Sequence, residues 1–377
     1  MTTCGELQGW NFANHKPIRI RWSKNIITSL EVTAEPPADE QWIAPGLFDL
    51  QINGYAGVDF QQDDVTLDQL LHAVRSLRSA GCARFLLTLI TDEWAHLVAR
   101  LSRLRSLRNR SDELKTAIAG WHIEGPFLSA EPGFSGAHDP TWMRDPAPEL
   151  LTELRAAAGD DPLLLTIAPE RAGAVRAIAA AVSQKMIVSL GHTDAPVRLL
   201  QEAVAAGARG FTHLGNGCPR TLDRHDNILW RVLEAPGLMI SLIPDRIHVS
   251  PPLFRFIHRM LNPEAIYYTS DAMAAAGSPP GRYRLGKFEL EVGSDQIVRQ
   301  PGKELFAGSA LRPIDGIFRA AEMLHCSWRE VWSRYSTAPA RLMGLQNELA
   351  VGQRATFCIL RLASPHELGE IQVPEDY

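Results

Sequence analysis

Cysteine is scarce and unpatterned in this 377-residue chain: Cys4, Cys82, Cys218, Cys326 and Cys358 are five, an odd number, with no CxxC spacing. That excludes a zinc knuckle and gives no disulfide framework, so reduced thiols in a cytoplasmic protein are the simplest account. No apolar run reaches the ~18 residues that a membrane-spanning helix needs. The start, MTTCGELQGWNF, lacks the basic-then-apolar pattern of a secretory signal. Charge of either sign is nearly balanced, 38 Lys and Arg against 43 Asp and Glu, which leaves no electrostatic footprint for nucleic acid or an anionic membrane. A glycine-rich phosphate loop is missing after the first strand-like run, which argues against a nucleotide-binding doubly wound sheet. The expectation is a soluble, cytoplasmic protein that works on a small molecule.

What the chain does have is an alternation. Eight short apolar runs, LFDLQI (47–52), ARFLLTLIT (83–91), AIAGWHI (117–123), LLLTIA (163–168), MIVSLG (186–191), GFTHL (210–214), LMISLIP (238–244) and AIYYTS (265–270), are separated by helix-like segments. In TLDQLLHAVRSLRSAG the apolar residues fall at 67, 70, 71, 74 and 77, the spacing of one helix face. Thr66 is placed to cap that helix and Gly81 to stop it. AGAVRAIAAAVSQK and APVRLLQEAVAAGA repeat the pattern. Eight strand–helix units predict an α/β fold, a closed (β/α)8 TIM-type barrel over residues 45–345. PIRIRW and IITSLEV before it and ELAVGQRATFCIL after it read as strands. Residues 1–44 and 346–377 are therefore expected to form one small β-sandwich domain built from both termini. GRYRLGKFELEVGSDQIVRQPGKELFAGSA reads as a β-hairpin insertion, and the arginines from Arg100 to Arg110 as the solvated face of a helix.

Such a barrel collects its chemistry at the C-terminal ends of its strands. Six of the eight runs end in residues able to bind metal or move protons. The first ends in Asp49, Gln51 and Asn53, the third in His122 and Glu124, the fifth in His192 and the sixth in His213 and Asn216. His248 lies just past the seventh and Asp271 follows the eighth. Singly, each has a plain structural use as a cap, a turn former or a satisfied buried histidine. Separate strands, however, have no structural reason to share one decoration at one end. Glu124, His192 and His213 supply one oxygen and two nitrogens, the donor set of a catalytic zinc site with an open position. An ion there activates water near neutral pH. Attack on an amide or ester carbonyl then needs a group that takes the water's proton and returns it to the leaving nitrogen, and Asp271 is the candidate. His248 is the candidate for a second electrophile on the carbonyl. His72, His96, His258 and His325 fall in helical segments and are expected at the surface.

The motifs APGLFDLQINGYAGVDF, HIEGPFLS…GFSGAH, SLGHTDA, FTHLGNGCP, DRIHVSP, TSDAMAAAGSPPGRYRLG and FAGSAL occur in that order. The ordered set resembles the N-acetylglucosamine-6-phosphate deacetylases of the amidohydrolase superfamily. The resemblance implies a homodimeric, metal-dependent barrel that hydrolyses the N-acetyl group of an amino-sugar phosphate, giving glucosamine 6-phosphate and acetate. It matches Glu124, His192 and His213 to metal ligands and Asp271 to the acid/base. Ala137, His138, Asn216, Gly217, His248, Phe306, Ala307 and Gly308 match substrate-contacting positions. Arg224 matches an arginine that reaches the sugar phosphate across a dimer interface. Many superfamily members carry His-x-His where this chain has Gln51-x-Asn53. Neutral amides replace imidazole poorly as ligands, so one divalent ion, zinc first, is expected. Gln51, Asn53 and His122 then stand behind the ligands, His122 orienting a ligand or the water. HLGNGCPRTLDRHDN departs from the family's usual loop, because Arg224-His225-Asp226 sets an acid beside the phosphate arginine. The rival readings are an amidohydrolase for another N-acyl compound, an unphosphorylated N-acetylhexosamine or an N-acyl amino acid, and a barrel kept only for binding. Against the last stand the intact Glu124, His192, His213 and Asp271.

Overall fold

Local signals act largely as the sequence suggests. In the computed structural model, which describes residues 4–302 and 306–374, Thr66 and Gln69 cap the helix Leu67–Arg78 reciprocally. Thr66 Oγ1 accepts from the Gln69 amide at 3.2 Å, and Gln69 Oε1 accepts from the Thr66 amide at 2.8 Å. The helix ends at Arg78, and Gly81 turns the chain with φ +77° into the next strand.

Eight parallel strands follow the eight apolar runs. They are β1 Leu47–Ile52, β2 Cys82–Ile90, β3 Ile118–Glu124, β4 Leu163–Ile167, β5 Ile187–Leu190, β6 Gly210–Phe211, β7 Met239–Leu242 and β8 Ile266–Tyr268. They pair in chain order. Ile52 bridges to Ala272, and the Asn53 amide donates to the Ala272 carbonyl at 2.7 Å, so β1 meets the end of β8 and the barrel closes. This is the (β/α)8 barrel expected.

Alternation sorts the side chains. In β4, Leu163, Leu165 and Ile167 join the large apolar cluster, while Leu164 belongs to a separate one. The inner surface has three levels. Phe48, Leu50, Leu86, Leu164 and Tyr267 pack with Leu342 and Met343 as an apolar floor. Above it His122 Nε2 meets Thr166 Oγ1 at 2.8 Å, Thr166 meets Thr212 at 2.8 Å, and Thr212 meets Ser189 at 2.7 Å. Each buried hydroxyl there finds a partner, which keeps a polar interior level from destabilising the barrel. Glu124, two residues beyond His122 on the same side of β3, belongs to the top level, while Trp121 and Ile123 join the large apolar cluster.

The terminal segments form a six-stranded sheet in the order 367–372, 357–364, 42–45, 4–11, 17–23, 26–32. Its edge strand folds back on the other end: Ile27 N–H donates to Gln353 O and Ala355 N–H to Asn25 O, both at 2.8 Å. Ile18, Ile20, Ile27, Ile43 and Phe357 fill the space so enclosed, which makes the small sandwich-like unit expected from both termini. Gly281–Leu285 and Phe288–Val292 form the expected hairpin, to which Val298–Arg299 adds a third strand. Residues 303–305 of that insertion lie outside the described residues.

Two expectations fail. The arginines of helix Trp94–Arg108 are not a solvated face. Arg100 is buried between Asp63 and Asp92, at 2.9 and 2.7 Å, and Arg105 and Arg108 both hold Asp161 at 3.0 Å. His258 is not a surface residue either; it is half-buried, bonded to Phe254 O at 2.7 Å and Tyr268 OH at 2.8 Å.

Candidate active site

Three strand ends converge. Glu124 closes β3, His192 follows β5 and His213 follows β6, and one ligand atom from each lies within 4.8 Å of the others. Glu124 Oε1 is 2.8 Å from His213 Nε2 and 3.4 Å from His192 Nε2, and Oε2 is 3.6 Å from His138 Nε2. Burial raises the Glu124 carboxyl, but the close His138, His192 and His213 rings outweigh it and hold the group well below the usual carboxylate range. Burial pushes His192 down to about 4, so its ring is neutral, as a metal ligand must be. The Phe134 carbonyl accepts from His192 Nδ1 at 2.7 Å and fixes the tautomer with Nε2 as the ligand nitrogen. That Nε2 and His213 Nδ1 are buried without a hydrogen-bond partner. A Cβ on Gly217 would lie 2.7 Å from His192 Nδ1, so only glycine lets the loop approach the ring this closely.

The backbone itself marks the site. His192, His213 and Asp271 have φ of +50°, +34° and +52°, a region that side chains other than glycine's rarely enter. Each such residue costs about 1–3 kcal/mol, and three at one end of a barrel mark a place where aim outweighs stability.

Asp271 lies just past β8, within reach of the Glu124 charge. Burial and the Glu124 charge push its carboxyl up to about 7, against the pull of His213 and His248. Asn53 Nδ2 donates to Asp271 Oδ1 at 2.7 Å, which anchors one of its oxygens. His248 holds its Nδ1 2.6 Å from Asp245 Oδ2. Burial lowers the His248 ring, but the Asp245 charge outweighs it, and the net shift is upward.

A cavity of about 690 Å³ opens over this cluster. Glu124, His138, His192, His213, His248 and Asp271 line it, with Asn53, Ala137, Asn216, Gly217, Phe306 and Gly308. Four expected residues lie elsewhere. Gln51 and Ala307 are buried away from its lining, and His122 faces the Thr166 and Thr88 hydroxyls in the level below rather than a ligand. Burial pushes His122 down to about 4, so it is a neutral member of that network. Arg224 is exposed and outside the lining, with its Nε donating to His225 Nε2 at 3.0 Å. The acid expected beside it is otherwise engaged, since Asp226 pairs with Arg231 at 2.6 Å. The sequence reading also missed participants. Arg220, Leu285, Ile297 and Arg299 line the cavity, and the Phe134 carbonyl orients a ligand through its backbone, which carries no sequence signal. Asp245 was legible, three residues before His248 in PDRIH.

No protein-family model matches the chain. An N-acetylglucosamine-6-phosphate deacetylase of Vibrio furnissii is 30% identical over 308 residues, which cover 81% of this chain and 75% of that protein. The chain belongs to the N-acetylglucosamine-6-phosphate deacetylase family. The human protein of that name is 33% identical over 333 residues, 84% of this chain and 79% of its own length. Among solved structures, the family's enzyme from Mycobacterium smegmatis, in complex with N-acetyl-D-glucosamine-6-phosphate, superposes with a TM-score of 0.88 over 98% of both chains at 26% identity. Membership makes the chain a hydrolytic enzyme of the amidohydrolase type, whose chemistry depends on a divalent metal. Glu124, His192 and His213 fit such an ion by donor set, and the buried His192 Nε2 stands without a hydrogen-bond partner. No helix among the described residues is long and apolar enough to cross a membrane.

Proposed function

We propose that this chain removes the acetyl group from N-acetylglucosamine 6-phosphate, with Glu124, His192 and His213 holding one divalent ion, zinc first by donor type. The observation that carries the reading is the convergence of those three buried groups in a cavity that Asp271 also lines. When bound, the ion supplies Lewis acidity and makes water a nucleophile near neutral pH. Asp271, held near 7, is poised to take a proton from the attacking water and give it to the leaving nitrogen. Asn53 anchors one of its oxygens, so the proton work falls to the other. His248, which lines the same cavity, donates to a substrate oxygen, and His138 lies against Glu124 and His192, where it limits the space for the acyl group. A neutral amide such as that of Gln51 or Asn53 is a weak ligand, which supports a single ion.

The phosphate falls to Arg224 of a second copy. Arg224 is outside its own chain's cavity, and its carbonyl is bonded by Trp230, whose exposed ring packs edge-on against exposed Phe256 at 5.8 Å. Together with Met260, 55% exposed, these rings make an apolar patch suited to a twofold contact. Five unpaired cysteines suit a cytoplasmic enzyme. The deciding experiment is acetate release from N-acetylglucosamine 6-phosphate and from N-acetylglucosamine, side by side, with zinc added. The phosphorylated sugar should be strongly preferred. Activity on the free sugar alone, or on neither, would hand the site to another N-acyl compound.

A further inference from the structure

We propose that Asp245, which the reading above leaves unused, is a positioning residue that locks the His248 ring with Nε2 as its cavity-facing, proton-bearing nitrogen. The inference rests on His248 acting on substrate. Asp245 lies just past β7 and is 3% exposed. Its Oδ1 accepts from the backbone amides of Ile247 and His248, both at 2.8 Å, and its Oδ2 is 2.6 Å from His248 Nδ1. Arg246, with φ +69°, makes the turn that folds those amides back. A carboxylate only accepts, so Nδ1 must carry a proton and the tautomer is settled. Nε2 is then the nitrogen left for the cavity, which His248 lines beside Phe306, the two rings being 5.2 Å apart.

Charge decides what that nitrogen can do. A neutral ring protonated at Nδ1 would offer a bare Nε2, able to accept from a substrate hydroxyl but not to donate to a carbonyl oxygen. A second proton turns it into a donor. The groups that face the ring divide unevenly: Asp245 and Asp271 favour the cation, and His213 opposes it. Arg319 is spent on the Asp245 carbonyl at 3.4 Å, and Arg246 pairs with Glu322. Burial opposes the cation too, but the net shift is upward, toward a dyad that presents an N–H donor.

Asp245→Asn separates this role from a merely structural one, because the amide oxygen still accepts from the turn amides while the charge is gone. The experiment measures kcat and KM for N-acetylglucosamine 6-phosphate in zinc-loaded wild type, Asp245→Asn and His248→Gln between about pH 5.5 and 9. Nitrogen-15 NMR of labelled histidine, assigned with His248→Gln, follows the ring in the same samples. In wild type both ring nitrogens should be protonated at neutral pH. In Asp245→Asn that protonation and the alkaline fall of kcat should both move about 1–3 pH units lower, the scale of one close opposite charge. Turnover at alkaline pH should drop at least about tenfold and recover at acid pH, and His248→Gln should lack that limb. An Asp245→Asn profile that superposes on wild type overturns the proposal. So does a wild-type His248 with unprotonated Nε2 at neutral pH, a result available even if Asp245→Asn does not fold. Absence of acetate release by wild type would defeat the functional reading instead, while the NMR titration would still judge Asp245.

Discussion

Asp271 is asked to satisfy two demands that oppose each other. Burial and the Glu124 charge raise its carboxyl to about 7, which suits proton transfer at neutral pH but penalises the folded, ionised form. The sign follows from linkage. The folded value lies above the ordinary ~3.9, so this stability is complete below that value and is lost as pH rises through about 7. An asparagine in its place cannot ionise, still accepts from Asn53, and tolerates positive φ better than most side chains. Metal-free Asp271→Asn should therefore be more stable than metal-free wild type at pH ~8, by on the order of 1–3 kcal/mol, with the difference vanishing near pH ~4. The loaded variant should lose roughly 10²–10⁴ of turnover. Normal turnover would remove the acid/base assignment, and equal denaturation midpoints at both pH values would remove burial as the source of its poise.

At the scale of elements, the seam between β1 and the end of β8 holds the site in register. Asp49 is fully buried, and one or other of its oxygens accepts from Thr269 Oγ1, the Ser270 amide at 2.9 Å and Tyr335 OH at 2.7 Å. Those bonds tie the strand that carries Asn53 to the one that leads into Asp271. Tyr335→Phe should cost about 1.5–3 kcal/mol, the range for a hydrogen bond to a charged group, and should lower turnover more than metal affinity. Urea unfolding and metal titration test this; an unchanged midpoint would mean that Asp49 holds the seam without Tyr335. The strands were legible because apolar runs buried on both faces have few other readings, and Glu124, His192, His213 and Asp271 because they end those runs. β6 is shorter than GFTHL suggested, since His213 leaves the ladder with φ +34° to aim its ring. The arginines of Trp94–Arg108 were misread because Asp63 and Asp161 are distant in the chain, and a one-dimensional charge pattern does not report such pairs.

At the scale of the whole molecule, one chain offers a metal cluster, an acid and a cavity, yet leaves Arg224 outside. The family resemblance implied that separation, whereas spacing alone could not, because no spacing along a chain says which copy a side chain serves. Arg224 in trans makes a sharp prediction. Arg224→Ala chains keep Asp271, and Asp271→Asn chains keep Arg224. In a mixed dimer the site of the Arg224→Ala chain receives the partner's arginine and is whole, whereas the other site lacks both groups. Random pairing of equal amounts puts half of the chains in mixed dimers, each with one whole site of two, so about a quarter of wild-type activity should return at low substrate. Co-expression of the two variants, assayed by acetate release well below the wild-type KM, measures it directly. Arg224 acting on its own chain's site would leave the mixture no better than the average of its parents. An Arg224→Ala parent that keeps wild-type turnover at low substrate would instead assign the phosphate to the cavity's own Arg220 and Arg299. Return of that quarter would show that a second copy brings the charge that the phosphate needs, and would make the exposed Trp230–Phe256 patch beside Arg224 the contact to test next.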